Sequence, residues 1–196
     1  MYTPADRSQL QARAVKQGTY TLADTDQEVI DWIKKEFRVN ALHFSFETRK
    51  QQQLVHLILE TADEVRTMQS NSTRNAPIAE RFSKYFNFTD PVPEIIVTYR
   101  PLKDLDGNII SEILDDEKRG VLKSFDSVWT ISMDVIFYFT DAQLKENQAN
   151  GISKQISDAL YQVTTRYGIG PGSPYRFDSK ECFDRDYESN WYYYWK

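Results

Sequence analysis

Apolar and polar residues alternate in three long segments of the chain, which predicts β-strands over residues 94–102, 128–140 and 184–195. Side chains two positions apart in a strand lie on one face of a sheet. In the middle segment the alternate positions hold Trp129, Ile131, Met133, Val135, Phe137 and Phe139. Burying side chains of this kind stabilises a fold by roughly 1.5–3 kcal/mol each. Segment 128–140 is therefore predicted to contribute strongly to a core, with a sheet as the scaffold.

The last segment differs from the other two because aromatic residues occupy both of its faces. In a strand, Trp191, Tyr193 and Trp195 point to one side, while Tyr192 and Tyr194 point to the other. One face can cover the core, whereas a second apolar face left in solvent needs a partner. The sequence therefore predicts a protein interface at this segment.

Helical periodicity marks most of the remaining chain. An apolar stripe from Ile152 to Tyr167, closed by Gly168, predicts an amphipathic helix. Shorter predicted helices span residues 8–18, 25–37 and 78–86, and residues 39–46 are predicted to be extended. Residues 50–69 fit a helix or a strand at 54–59, and the strong helix formers at both ends favour the helix.

Between the first two long strands, turn-like sequences separate short apolar runs. Residues 104–108 and 115–120 are typical of turns, and the runs 109–114 and 121–125 are predicted to be strands.

The predicted fold class is α+β, with an antiparallel, mainly meander β-sheet packed by amphipathic helices and a helical N-terminal segment. We expect a mostly helical part over 1–93 and a sheet-plus-helix core over 94–196, or one domain over 1–196. No internal repeat is apparent.

Length and composition favour a soluble protein made in the cytoplasm. A chain of 196 residues is long enough to bury a sizeable core. Its single cysteine, Cys182, excludes an internal disulfide and suits a reducing compartment. Asp6 and Arg7 interrupt the region where a signal peptide needs an apolar run, and eighteen apolar residues never stand together. We therefore expect no membrane partner.

The negative charge of the chain is concentrated in its second half. Residues 1–100 hold 13 basic and 13 acidic residues, whereas residues 101–196 hold 11 basic and 16 acidic ones. This balance argues against a groove that grips nucleic-acid phosphates, which needs clustered lysine and arginine. It fits a solvated acidic surface, or a channel through which DNA passes transiently without sticking.

Two motifs suggest ligands, and each has a simpler structural explanation. The glycine-rich loop 168–172 follows a helix and lacks the lysine of a nucleotide-binding loop, so a helix cap fits it better. Asp104, Asp106 and Asn108 have the spacing of calcium ligands, but Ile109 stands where an EF-hand loop requires glycine. We expect no cofactor and no metal site.

Catalytic groups are sparse. Cys182 and a histidine, His43 or His56, form a nucleophile pair only if folding brings them together, and the acidic neighbours of the cysteine oppose the thiolate. Three acids share one face of the predicted last strand and are candidates for paired carboxylates: Asp184, Asp186 and Glu188. An exposed or interfacial strand edge is the simpler interpretation of that alternation. We therefore expect a protein that is not an enzyme.

A binding role is the remaining interpretation of the aromatic segments. Arg100, near the end of the predicted strand 94–102, is suited to pair with acids of its own sheet or of a neighbouring subunit, or to lie over an aromatic ring. The candidate interface residues are Trp191, Tyr192, Tyr193, Tyr194, Trp195, Arg100 and Tyr138.

Four elements follow one another over residues 94–196. They are a strand of the form Pro93-x-Ile95-x-Val97-Thr98-Tyr99-Arg100-Pro101-Leu102, a long aromatic strand opened by Trp129, an amphipathic helix, and a closing aromatic strand from Tyr187 to Trp195. In this order they resemble bacteriophage tail-terminator (neck) proteins. The resemblance implies a homo-oligomeric ring, typically a hexamer, in the virion. Such a ring stops growth of the tail tube and contacts the tube and the neck or connector proteins.

A second hypothesis comes from the charge and the size of the chain. A small acidic α+β protein of the cytoplasm also fits an immunity protein or antitoxin, which binds and masks a basic toxin. Structural virion genes beside this gene would favour the tail component, whereas an adjacent toxin gene would favour the immunity protein.

Overall fold

The computed structural model describes residues 2–49, 52–70, 72–86, 94–170 and 172–196. The chain divides into two compact units, residues 1–110 and 111–196. Among these residues each unit contains one three-stranded sheet with helices, so the α+β class is confirmed. The prediction of an antiparallel meander is wrong, because each sheet combines one antiparallel strand pair with one parallel pair.

The first unit builds its sheet from β1 (Ala41–Arg49), β2 (Gln52–Leu59) and β3 (Glu94–Pro101). Its helices are α1 (Pro4–Gln17), α2 (Asp24–Phe37), α3 (Ala62–Gln69) and α4 (Asn75–Phe86), and a short 3-10 turn over Ser72–Arg74 precedes α4. Strand β2 lies in the centre, antiparallel to β1 and parallel to β3.

The second unit builds its sheet from β4 (Val128–Ser132), β5 (Val135–Tyr138) and β6 (Arg176–Ser179). Its helices are α6 (Asp141–Ala149), α7 (Ile152–Arg166), α8 (Lys180–Tyr187) and α9 (Trp191–Tyr194), together with most of α5 (Gly107–Leu122). In the described part of the chain, every helix is too short or too polar to cross a membrane.

Both faces of the first sheet are covered by helices. One face carries alternate residues of β2 into the larger core, where they pack with helices α2, α3 and α4; its fully buried members include Val55, Leu57, Leu59, Ile30, Ile33, Ile78 and Phe82. On the other face, Ala12 of α1 packs against Leu42 and Ile58. Burial on both faces explains why β2 is almost continuously apolar.

Helix α1 begins at Pro4, four residues before the predicted start at residue 8, and a capping box precedes it. The Thr3 side chain accepts a hydrogen bond from the Asp6 amide, and the Asp6 carboxylate accepts one from the Thr3 amide. Gly18, at a φ of 73°, ends the helix. The predicted helix is confirmed, but Ser8 lies inside it and its hydroxyl is 2.9 Å from Nδ1 of His43.

Burial of His43 links the stability of the first unit to pH. Desolvation lowers the pKa of His43 to about 4, although the Asp26 carboxylate opposes the shift, and burial also lowers the pKa of His56. Unfolded histidine takes up a proton below about pH 6.5, so in this window the unfolded chain binds more protons than the folded one. We expect His43 alone to lower the free energy of unfolding by about 2 kcal/mol between pH 7.5 and pH 5.

Urea unfolding at these two pH values measures the effect. The His43→Gln variant is expected to lose about 2 kcal/mol less than the native chain over the same interval. His56→Gln is the matched control for the second histidine. An unchanged pH dependence in the His43→Gln variant would contradict the assignment.

The two units share one topology. In each, an antiparallel strand pair is followed by two helices and a third strand, which lies parallel to the second strand. The first strand of each pair also carries a register shift immediately after its first residue, between Ala41 and His43 in β1 and between Val128 and Thr130 in β4. A bulge at the same place in both pairs supports an internal structural repeat that the sequence did not reveal.

The connection after the strand pair is also the same in both units. Thr61 and Thr140 each stand two residues beyond the second strand and cap the next helix through a capping box with Glu64 and Gln143, respectively. The register places Ile58 of the first sheet at the same position as Phe137 of the second. Because such equivalent positions hold different apolar side chains, the repeat leaves little trace in the sequence.

In the second half of the chain, several predicted strands have a different secondary structure. Segment 128–140 is the hairpin β4–β5, which turns at Met133 with a φ of 51°, and segment 184–195 is helical. The predicted strands at 109–114 and 121–125 belong instead to α5 and the turn after it.

The first half follows the predictions more closely. The helix predicted over 50–69 is β2 followed by α3, while strand 94–102 is confirmed as β3. The division between the units falls after Ile110 rather than after residue 93, because β3 completes the first sheet. Residues 1, 50, 51, 71, 87–93 and 171 lie outside the described part of the chain.

Candidate protein interface

The C-terminal aromatic residues form a cluster on one face of the second sheet. We define the aromatic cluster as Trp129, Phe137, Phe183, Tyr187, Trp191, Tyr194 and Trp195, which pack together with Val135. The opposite face of this sheet carries Ile136 and Tyr138 into a separate core with helix α7. Phe137 is fully buried and Phe183 is 2% exposed, so these two side chains form the base of the cluster.

Trp191 lies at the centre of the cluster. Its ring stacks on Trp129 at a centroid distance of 6.1 Å and an interplanar angle of 5°. It lies 4.3 Å from the Phe183 centroid and meets Phe137 edge-to-face at 5.3 Å. These stacked and T-shaped arrangements are the favourable geometries for aromatic pairs. They fix helix α9 against the sheet.

The turn between α8 and α9 holds two consecutive non-glycine residues in the left-handed region. Glu188 and Ser189 have φ values of 54° and 55°, a conformation that costs about 1–2 kcal/mol per residue. The Ser189 hydroxyl donates a 2.6 Å hydrogen bond to Asp184, and the Ser189 amide donates to the Phe183 carbonyl. The Asn190 side chain then accepts from the Tyr192 amide and caps α9. The start of α9 is therefore held in place by hydrogen bonds.

Helical spacing separates the five C-terminal aromatic residues into two groups. Trp191, Tyr194 and Trp195 stand at i, i+3 and i+4 and pack in the cluster. Tyr192 and Tyr193 stand outside it, 66% and 49% exposed, with their ring centroids 5.8 Å apart. We call these two residues the tyrosine pair. They present the largest aromatic surface of this segment to solvent.

Tyr194 is held by a polar contact as well as by packing. Its hydroxyl donates a 2.7 Å hydrogen bond to Asp178 on β6. Burial and the Asp178 carboxylate raise the pKa of Tyr194, so its hydroxyl stays protonated at neutral pH. Tyr194 therefore stabilises the position of α9 rather than offering its ring to a partner.

Two predicted interface residues lie elsewhere. Tyr138 is fully buried in the second unit, with its hydroxyl 2.9 Å from that of Ser153 and its ring stacked on Phe177. It therefore stabilises the interior, which corrects its assignment as an interface residue. Arg100 belongs to the first unit, where it pairs in register with Ile58 of β2, and its charge contributes to the lowered pKa of His56.

Cys182 is poorly suited to act as a nucleophile. Burial and the carboxylates of Asp178 and Asp186 raise the pKa of its thiol to about 12. We expect iodoacetamide at pH 8 to alkylate this thiol at least about a hundredfold more slowly than free cysteine, as followed by mass spectrometry. Asp186→Asn should increase the rate, because it removes one of the opposing carboxylates. A rate equal to that of free cysteine in the native chain would contradict this prediction.

The acidic residues of the C-terminal segment have structural partners. Asp184 pairs with Lys180, and Asp186 accepts two hydrogen bonds from Arg185 at 2.8 and 3.0 Å. These contacts lower the pKa values of both carboxyl groups. Both acids lie on α8, so the predicted strand face of paired carboxylates does not form. Neither group is poised as a general acid near neutral pH.

The other suggested ligand motifs are parts of helix ends. Asp106 accepts a 2.8 Å hydrogen bond from the Asn108 amide at the start of α5, so the predicted hairpin turn there is a helix start. Gly168, at a φ of 68°, follows the end of α7. Within the described residues, no group of three or more His, Cys, Asp or Glu side chains is arranged to hold a metal ion.

An open groove that no sequence motif indicates lies between α2 and α4 in the first unit. The groove has a volume of about 530 Å³ and is lined by Thr25, Glu28, Val29, Arg81, Lys84, Tyr85 and Phe86. Tyr85 donates a 2.5 Å hydrogen bond to Asp26, and Lys84 pairs with Glu80. These polar groups along the groove already have partners within the unit.

Comparison with known proteins gives no family. No protein-family model matches the sequence, and no curated protein matches it. The geometry and charge of the second unit are therefore the basis for assigning a function.

Proposed function

We propose that this protein binds and masks a basic partner protein through its second unit, in the manner of an immunity protein or antitoxin. The observation that carries the proposal is the tyrosine pair, Tyr192 and Tyr193, exposed on an acidic unit. Residues 111–196 contain 10 basic and 14 acidic residues, a net charge of −4. Negative potential speeds association with a basic protein and opposes unwanted acidic partners.

The rigid backbone beneath the tyrosine pair supports a binding role. Tyrosine is enriched at protein interfaces because it offers a large contact area with few rotatable bonds. Here the backbone beneath both rings is fixed by the Asn190 cap and by the packing of Trp191 and Tyr194. A surface that is ordered before binding loses less entropy when the complex forms.

The reactive side chains of α8 are protonated or engaged in ion pairs, which supports binding over catalysis. The Cys182 thiol has a raised pKa, and the carboxylates of Asp184 and Asp186 are engaged in ion pairs. A protein that masks a partner needs surface complementarity rather than a reactive group.

Co-expression tests the proposal. The protein encoded by each neighbouring gene is expressed alone and then together with this protein. We expect one of them to be basic and to stop growth when expressed alone, and we expect co-expression to restore growth. If no neighbouring product inhibits growth, or if inhibition persists when both proteins are made, the proposal fails.

A ring-forming tail component of the tail-terminator kind is the second candidate. Strands β4 and β6 are the edge strands of the described second sheet, and head-to-tail contacts in a closed ring cover such edges. Two elements behind the resemblance differ, however, because segment 128–140 is a hairpin and the closing segment is helical. Light scattering separates the candidates. A ring has several times the 23.0 kDa mass of one chain. The masking function does not require the chain to associate with itself.

A further inference from the structure

Basic side chains lie over three rings in or next to the aromatic cluster. Lys180 Nζ is 5.4 Å from the Trp129 centroid, and the Arg176 guanidinium carbon is 5.9 Å from that of Trp195. Lys196 Nζ is 5.1 Å from the Tyr192 centroid. All three distances fall within about 6 Å, the range in which a ring face attracts a cation. The surface therefore accepts cations on its aromatic faces.

The contact at Tyr192 differs from the other two. Lys180 also pairs with Asp184, and Arg176 pairs with Asp134 at 3.1 Å, so both are anchored by carboxylates. Lys196 is exposed and forms no ion pair within the described residues. Its ammonium is consequently the easiest of the three for another cation to replace.

We infer that the Tyr192 ring face, with Tyr193 beside it, is a recognition site for an arginine or lysine side chain of the basic partner. In the unbound protein Lys196 occupies this face in place of the partner's cation. The inference deepens the proposed function, since it names the chemical group by which the partner is recognised. The charge of −4 on the unit favours a basic occupant. A guanidinium is especially suited because it stacks on a ring and still donates hydrogen bonds at its edge.

The experiment uses the full chain and a short basic peptide as the probe. Acetyl-Gly-Arg-Arg-Gly-amide is titrated into the protein, and the ring signals of Tyr192 and Tyr193 are followed by NMR. The control peptide has citrulline in place of both arginines, which keeps the shape and removes the charge. We expect a saturable shift of both rings with the arginine peptide and at least several-fold weaker binding of the citrulline peptide. Equal binding of the two peptides, or no shift with either, would overturn the inference.

Two variants test whether Lys196 competes for the site. Lys196→Ala should tighten binding of the arginine peptide by about two- to fivefold, the effect of one exposed cation–ring contact. The matched control is Lys154→Ala, which removes the same charge from α7, where Lys154 pairs with Asp158. Both variants make the protein more negative, so any general charge effect appears in both. Tightening of the same size in the two variants would show that Lys196 holds no special position and would overturn its assigned role.

This test and the growth test fail separately. Binding of the arginine peptide at the tyrosine pair, with no toxic neighbour found, supports the cation site and refutes the masking function. Restored growth with a toxic neighbour, but no preference for arginine over citrulline, supports the masking function and refutes the cation site.

Discussion

Replacing Phe137 by alanine is expected to lower the free energy of unfolding of the second unit by about 3–5 kcal/mol. Phe137 is fully buried, and its ring meets those of Trp129, Phe183, Trp191 and Tyr194 at centroid distances of 5.2–6.1 Å. Truncation leaves a cavity beneath the whole aromatic cluster. Urea unfolding followed by tryptophan fluorescence measures the change, since Trp129 and Trp191 both report on the cluster.

Phe139→Ala is the matched control for this prediction. Phe139 stands two residues further along the chain and is 43% exposed. We expect its truncation to change the free energy of unfolding by no more than about 0.5 kcal/mol, as for most surface substitutions. Similar losses in the two variants would mean that the cluster is not the core of this face.

The predictability of each element follows from how many of its faces are buried. Helix α7 was predicted within two residues because it buries a single stripe, including Ile156, Leu160 and Val163, and is followed by Gly168 at positive φ. Strand β3 likewise follows from its alternation. Elements whose burial comes from one side leave a regular pattern in the sequence.

Segment 128–140 departs from the predicted single strand because it buries both faces and turns without a glycine. Trp129 and Phe137 enter the aromatic cluster, whereas Ile131 and Tyr138 enter the core beside α7. The bulge near Trp129 and the left-handed Met133 change the phase of the alternation within thirteen residues. The turn residues are Met133 and Asp134, and a single aspartate without glycine, proline or asparagine beside it is a weak signal for a hairpin.

The C-terminal segment was predicted as a strand because aromatic residues generally favour sheets. Here tertiary packing overrides that preference. The Ser179 hydroxyl accepts a hydrogen bond from the Cys182 amide and starts α8, which places Phe183 and Tyr187 on one helical face. The interface at this segment stays a prediction, and within the segment the helix separates the exposed tyrosine pair from the packed residues around it.

The internal repeat is a property of the backbone that the side chains do not share. The two units agree in strand direction, in the bulge and in the threonine caps at Thr61 and Thr140. They differ in which helices cover the second face of each sheet: α1 in the first unit, and α8 with α9 in the second. Because different helices pack on the two sheets, the strands beneath them need different side chains. Equivalent positions therefore hold different residues, as Leu42 and Trp129 do.

The double substitution Tyr192→Ala and Tyr193→Ala is expected to weaken binding of the basic partner by at least about a hundredfold, because interface hot-spot residues cost about 2 kcal/mol or more each. Calorimetric titration with the partner found by co-expression measures the loss, and restored growth should disappear with it. The substitutions are expected to leave urea unfolding nearly unchanged, since both rings lie outside the aromatic cluster.

Phe46→Ala is the control for loss of an exposed ring, since Phe46 is 52% exposed in the first unit. It should leave partner affinity unchanged if binding occurs through the second unit. Phe137→Ala completes the comparison: it disturbs the base on which α9 rests and should lower stability and affinity together. Loss of affinity in the tyrosine variant without loss of stability separates the binding surface from the packed rings beneath it. Native affinity in that variant would instead move the interface away from the tyrosine pair and remove the main support for the masking function.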